Sequence, residues 1–172
     1  MLVFDNIIPS PRGTLPIETQ QRMLGALVPM IKEDLLKPHR LRMPDIPVRA
    51  APAPVDGDPW IMGQTRIDFA VNASKQPIFK ASLIRIAPTY SFIMRDDLTI
   101  AHTLAHEMVH ASLAHRPSLF TQLHKDPHGP VFEKYMRRIG LTGQPDKSVA
   151  GPEFVEWFNR RARGRLEEIR NA

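Results

Sequence analysis

Apolar residues in "TLPIETQQRMLGALVPMIKEDLL" recur at helical intervals, with Met23, Leu27, Met30, Ile31 and Leu35 on one stripe. Thr14 is the candidate cap of this N-terminal helix, and Pro16 suits its first turn. Pro29 is expected to kink or split it, because proline lacks the N–H donor and crowds the preceding turn. Downstream the period falls to two. In "WIMGQTRIDFAVN", Ile67, Phe69 and Val71 alternate with Arg66, Asp68 and Ala70, while "ASLIRIAPTY" sets Ile84 and Ile86 around Arg85. With "IPVRA" as a third strand, these segments predict a small three-stranded antiparallel sheet.

Helical spacing then returns. Asp96 and Asp97 are start signals for a helix through about Ala114. "GPVFEKYMRRIG" offers Pro130 for a first turn, Phe132, Met136 and Ile139 as a stripe, and Gly140 as a stop. "GPEFVEWFNRRARGRLEEIR" predicts a basic amphipathic helix over residues 151–172, with Phe154, Phe158, Ala162, Leu166 and Ile169 on its buried face. The order of elements is that of an α+β fold. No internal repeat is visible, and 172 residues are read as a single domain.

Composition changes this picture at three points. Proline is abundant, 17 residues in all, and those from Pro38 to Pro59 predict an extended, irregular stretch. Too little chain precedes that stretch to build an independent core, so it is not read as a linker between domains. There are no cysteines, which excludes disulfides and thiolate metal sites and leaves His, Asp and Glu as metal ligands. Lys and Arg number 23 against 18 Asp and Glu, a net charge of +5 that suits a polyanionic partner and equally a merely basic protein. No apolar run approaches the ~20 residues of a membrane span, and the N-terminus lacks the layout of a signal peptide. The expectation is a cytoplasmic protein with no membrane partner.

The chemistry concentrates in "AHTLAHEMVHASLAH", residues 101–115. Four residues advance a helix by about 400°, so His106 and His110 lie one turn apart on one face. Two such imidazoles can grip one zinc ion and leave positions for a third ligand and a water. Glu107 lies beside them without occupying the metal. This is the H-E-x-x-H pattern, in which zinc acidifies the water and polarises a carbonyl while the glutamate takes a proton and returns it to the leaving amine. His102 stacks one turn further back and is read as a helix-surface or rim histidine rather than a ligand.

A catalytic zinc needs one more protein ligand. The metzincin pattern would require glycine at 113 and histidine at 116, where this chain has Leu113 and Arg116, so that class is excluded. His124, His128 and Glu133 are the downstream candidates. The combination "TLAHEMVHASLAH…DPHGPVFEKYMRRIGL" resembles the SprT-like (Spartan-type) zinc metalloproteases, whose H-E-x-x-H is followed by H-G-x-x-F opening a helix. Here those positions are His106, Glu107 and His110, then His128, Gly129 and Phe132. "SLIRIAP" is similar to the strand ahead of the family's active-site helix. The resemblance is clearest over residues 81–141 and thins towards residue 20.

The resemblance implies a compact zincin-like domain that cleaves peptide bonds, with Zn2+ held by His106, His110 and His128 and Glu107 as general base. It also implies substrates among DNA-bound or DNA-crosslinked proteins, with single-stranded DNA as a candidate partner beside the protein or peptide substrate. Many members carry a Cys-based zinc ribbon or finger, which this chain cannot build. Arg160, Arg161, Arg163 and Arg165 form the candidate nucleic-acid surface, with Trp157 and Phe158 beside them; the same charges also suit a solvated helix face. Two other readings compete: a non-catalytic nucleic-acid-binding domain with a structural zinc, and a DNA-independent protease with a dedicated protein substrate.

Overall fold

A computed structural model describes residues 15–51, 62–87, 89–90, 93–94 and 96–172. The first helix, α1 (Ile17–Ile31), follows Pro16 directly and buries Met23, Leu24, Leu27 and Ile31. The proposed cap, Thr14, lies outside the described residues. Pro29 sits inside α1 and does not split it; the irregularity comes just after, as a π-helical turn over Lys32–Leu36. A π-turn takes one extra residue per turn. The buried step therefore runs from Ile31 to Leu36 and leaves Leu35 only partly covered, where a regular helix would have buried Leu35.

The chain then forms β1 (Val48–Ala50), β2 (Gly63–Val71) and β3 (Pro77–Ile86), arranged β1-β3-β2. β2 and β3 are antiparallel, but β1 pairs parallel to β3, with Val48 opposite Ile84 and Ala50 opposite Ile86. The sheet is thus mixed, not purely antiparallel. Parallel pairing needs a long crossover, and the stretch between β1 and β3 contains β2 itself, so β3 is placed between its two predecessors. Gln21 on α1 fixes β1 from the other side, accepting from the Ala50 N–H at 2.9 Å and donating to the Val48 carbonyl at 2.7 Å.

A bulge interrupts the β2–β3 ladder. Arg66 faces Leu83 but Ile67 faces Ala81, so Ser82 is the extra residue. The odd-numbered positions of β2 share one face, and that face starts at Gly63 and Thr65 against the core. Further along, the same row emerges into solvent. Ile67, Phe69 and Val71 are 44%, 62% and 56% exposed, an apolar row that alternation alone would place in the core.

A two-stranded pair, β4 (Thr89–Tyr90) and β5 (Ile93–Met94), leads to the central helix α2 (Asp97–Ala114). Asp96 caps α2, its carboxylate accepting from the Thr99 N–H at 2.9 Å. From Ile100 to Leu113 every residue of α2 except His110 is buried, because the sheet, α1 and the C-terminal elements all pack around it. After α3 (Phe120–Lys125), α4 (Pro130–Arg138) buries Phe132 and Met136, with Ile139 just beyond its end. Gly140 then adopts φ +88°, and a Cβ there would meet the Phe154 backbone nitrogen at 2.9 Å. Only glycine fits that turn without strain.

The hairpin of β6 (Leu141–Gln144) and β7 (Lys147–Ala150) follows, antiparallel around Pro145 and Asp146. The chain ends in α5 (Pro152–Trp157), a π-turn over Phe158–Ala162 and α6 (Arg163–Asn171). Phe154, Phe158, Ala162, Leu166 and Ile169 are all buried, as the stripe predicts. Asp34 in the first π-turn accepts from Trp157 Nε1 at 3.0 Å and Arg161 Nε at 2.9 Å, tying this helical run to the N-terminal one. No helix among the described residues is long and apolar enough to cross a membrane.

Candidate metal centre

Helix α2 carries His106 and His110 on one face, as the four-residue spacing requires. His128 arrives from the loop before α4. The Asp126 carboxylate accepts from the His128 backbone N–H at 3.2 Å, and Gly129 and Pro130 start the helix at once, so a short turn aims the imidazole at α2. The three Nε2 atoms converge: His110 to His128 is 3.0 Å, His110 to His106 is 3.2 Å, and His128 to His106 is 3.3 Å. Phe132 supports all three rings from below, stacked on His110 with centroids 4.1 Å apart and tilted against His106 at 4.7 Å. It also meets His128 edge-on at 5.2 Å.

This group can hold a metal ion. A tetrahedral ion bound at ~2.0–2.1 Å would space its nitrogens by about 3.3–3.4 Å, close to the separations seen. The hydrogen-bond pattern agrees. Ser148 Oγ on β7 lies 2.8 Å from Nδ1 of His106. With Nδ1–H donating to that oxygen, Nε2 keeps its lone pair and faces the other two rings. Three nitrogens brought this close favour a cation at their centre.

Electrostatics point the same way. Burial drives His106 down to about 3, with the neighbouring His128 and His102 adding to it and Asp146 opposing it. His110 is held well below the usual histidine range by burial and by His106 and His128. His128 is lowered by burial, against the pull of Asp146 and Asp126. All three imidazoles are therefore neutral at neutral pH, the state in which histidine ligates.

Glu107 shares a cavity of about 210 Å³ with Gly63, Thr103, His106, His128 and Ser148. Burial pushes its carboxyl up to about 7, partly offset by a hydrogen bond from Thr65. The Thr65 hydroxyl on β2 lies 2.6 Å from Oε2 of Glu107 and 3.0 Å from its backbone carbonyl. Gly63 lets the strand come this near, since a Cβ there would meet Glu107 Cγ at 2.8 Å and Thr103 Cγ2 at 2.9 Å. A carboxyl poised near neutrality beside the three histidines can exchange a proton with whatever occupies the cavity.

The other candidates lie elsewhere. His102 is buried and lines the Glu107 cavity, so it is not a helix-surface histidine, and it stands outside the three-histidine group. The near-continuous burial of α2 leaves no solvent face at that turn. Glu133 stands outside the three-histidine group and is paired with Arg137 at 2.6 Å, and His124 is exposed. Arg160, Arg161, Arg163 and Arg165 are all exposed on the C-terminal run. Arg161 pairs with Asp34, Arg165 with Glu168 and, more loosely, Arg160 with Glu156, while Arg163 lies over the Phe158 ring. Trp157 is only 5% exposed, so it offers no face on which a base could stack.

Sequence reasoning missed Thr65 and Ser148. Ser148 sits on a hairpin whose signal, two short runs around Pro145-Asp146, was available but weak. Nothing local to β2 marks Thr65 as a partner of Glu107.

The sequence profile of the SprT-like family matches residues 63–150, from the start of β2 to the end of β7. The chain belongs to the SprT-like family. Comparisons with curated proteins and with solved structures gave no match.

Proposed function

We propose that this chain is a zinc-dependent endopeptidase of zincin-like architecture. The observation that carries the reading is the convergence of three Nε2 atoms beside a buried carboxyl that is not part of the ligand set. His106, His110 and His128 would hold the ion. When bound, zinc would supply Lewis acidity, lowering the pKa of a water to around 7 and polarising the scissile carbonyl. Glu107 is the general base: it takes the proton of the attacking water and delivers it to the leaving amine. Thr65 holds one carboxylate oxygen in place, and Ser148 keeps His106 in the tautomer that ligation needs.

A structural metal in a non-catalytic nucleic-acid-binding domain is the competing reading. A carboxyl buried beside the ligands, raised towards neutrality and held by a dedicated strand hydroxyl favours catalysis over that alternative. Proteins bound or crosslinked to DNA are the proposed substrate class, on the strength of the resemblance and the +5 charge. The test is cleavage by zinc-loaded protein of an unfolded protein and of a DNA-bound protein, each with and without single-stranded DNA. Cleavage of both without DNA dependence would favour a dedicated, DNA-independent protease. Replacing Arg160, Arg161 and Arg163 together with Ala should flatten the salt dependence of DNA binding by about one unit per lost phosphate contact. An unchanged slope removes those arginines from the proposal.

A further inference from the structure

Beyond His110, towards the C-terminal end of α2, lies a second cavity of about 270 Å³. Its apolar wall comes from four places in the chain: Ile67 on β2, Phe79 on β3, Leu113 and Ala114 on α2, and Leu123 on α3. Pro127, in the turn that delivers His128, adds to it. None of this belongs to the Glu107 cavity, yet His110 lines the wall while its Nε2 points into the histidine group. His110 thus stands between the apolar chamber and the histidine group, one ring belonging to both.

Three features argue for an apolar occupant. The permanent charge in the wall, Arg116, is already committed, its guanidinium donating to Tyr135 Oη at 2.7 Å and to the Arg40 carbonyl at 2.6 Å. Beyond Ile67 the apolar surface continues along β2, where Phe69 and Val71 stay exposed and the Phe69 ring lies 5.2 Å from that of Phe79. Contiguous exposed apolar surface of this kind marks binding. The volume falls just under the roughly 300 Å³ at which small-molecule pockets begin, the scale of one side chain rather than a folded partner.

We propose that this chamber receives a bulky apolar side chain of the substrate adjacent to the scissile bond, which makes unfolded segments rich in Leu, Phe or Met the preferred substrates. The inference rests on the peptidase reading above and adds a specificity to it. Such side chains are buried in folded proteins, so cleavage would select unfolded or partly unfolded chains.

The experiment pairs a kinetic and a binding measurement. Quenched-fluorescence peptides differing only at the residue beside the cut are compared by kcat/KM, with Leu and Phe expected to exceed Ala by about 10- to 200-fold, the range a hydrophobic pocket can discriminate. Ala114→Leu, which fills the chamber, should collapse that ratio, and Leu123→Ala, which enlarges it, should move the optimum towards Phe and Trp. Zinc-loaded Glu107→Gln protein is then titrated with the leucine and alanine peptides while methyl signals of Ile67, Leu113 and Leu123 are followed by NMR. The leucine peptide should shift these signals and bind more tightly. Hydrolysis with a flat side-chain profile and unmoved chamber signals would overturn the pocket and leave the peptidase reading standing. Chamber binding without hydrolysis by the wild type would do the reverse, and neither binding nor hydrolysis would overturn both.

Discussion

The Ser148 hydroxyl lies 2.8 Å from Nδ1 of His106, joining the β6–β7 hairpin to the central helix across 42 residues of sequence. Partners of this kind set which ring nitrogen is free to ligate, and their loss typically costs 10- to 100-fold in metal affinity. Ser148→Ala should therefore weaken zinc binding by about one to two orders of magnitude, measured by competition with a chromophoric chelator. The fold should persist in far-UV circular dichroism. Unaltered affinity would mean that His106 is oriented by packing on Phe132 alone.

Gly63 brings β2 against Glu107, with no room for a methyl group between them. Gly63→Ala should displace either the strand, taking Thr65 with it, or the carboxylate. Misplacing a catalytic group by about 1 Å costs on the order of 100-fold, so kcat should fall by about that factor while zinc content stays at one per chain. A variant with native kcat would show that the carboxylate tolerates displacement.

Asp34 links the two ends of the chain and supplies a pH test. Burial would raise its carboxyl, but the hydrogen bonds from Trp157 and Arg161, with the charges of Arg161 and Arg160, outweigh that and hold it below its ordinary 3.8. A depressed folded-state value means stability that is present above about 3.8 and lost as pH falls through the folded value. Asp34→Asn should destabilise metal-free protein by about 1 kcal/mol at pH 7, within the range for a partly exposed charged hydrogen bond. The gap from wild type in urea unfolding should narrow below pH 4. A gap independent of pH would assign the effect to packing around Trp157 rather than to the charge.

The parts of this protein legible from its sequence are those governed by local rules. Helical spacing on α2 places His106 and His110 together, Asp96 caps that helix, and the Phe154-to-Ile169 stripe is buried as its period demands. The third histidine is different. Spacing leaves His124, His128 and Glu133 open, and the resemblance singles out His128. What escapes is non-local: the parallel pairing of β1 depends on where β3 inserts, and the role of Thr65 depends on a strand passing over the middle of α2. The exposed row on β2 escapes for a related reason, because period-two alternation says which residues share a face but not how far the covering helix reaches. The π-turns too carry no pattern of their own, yet one of them exchanges Leu35 for Leu36 in the core.

The central claim is that a metal bound by three histidines and a separate carboxyl base act together on peptide bonds. The most direct measurement is cleavage of an unfolded protein by wild type and Glu107→Gln side by side, with zinc per chain determined on the same samples. The amide keeps the shape of the carboxylate but cannot take a proton from water. Both proteins should carry one zinc, and the variant's rate should fall by about 10²- to 10⁴-fold, the range supplied by general acid–base catalysis. Equal rates at equal zinc content would contradict the account.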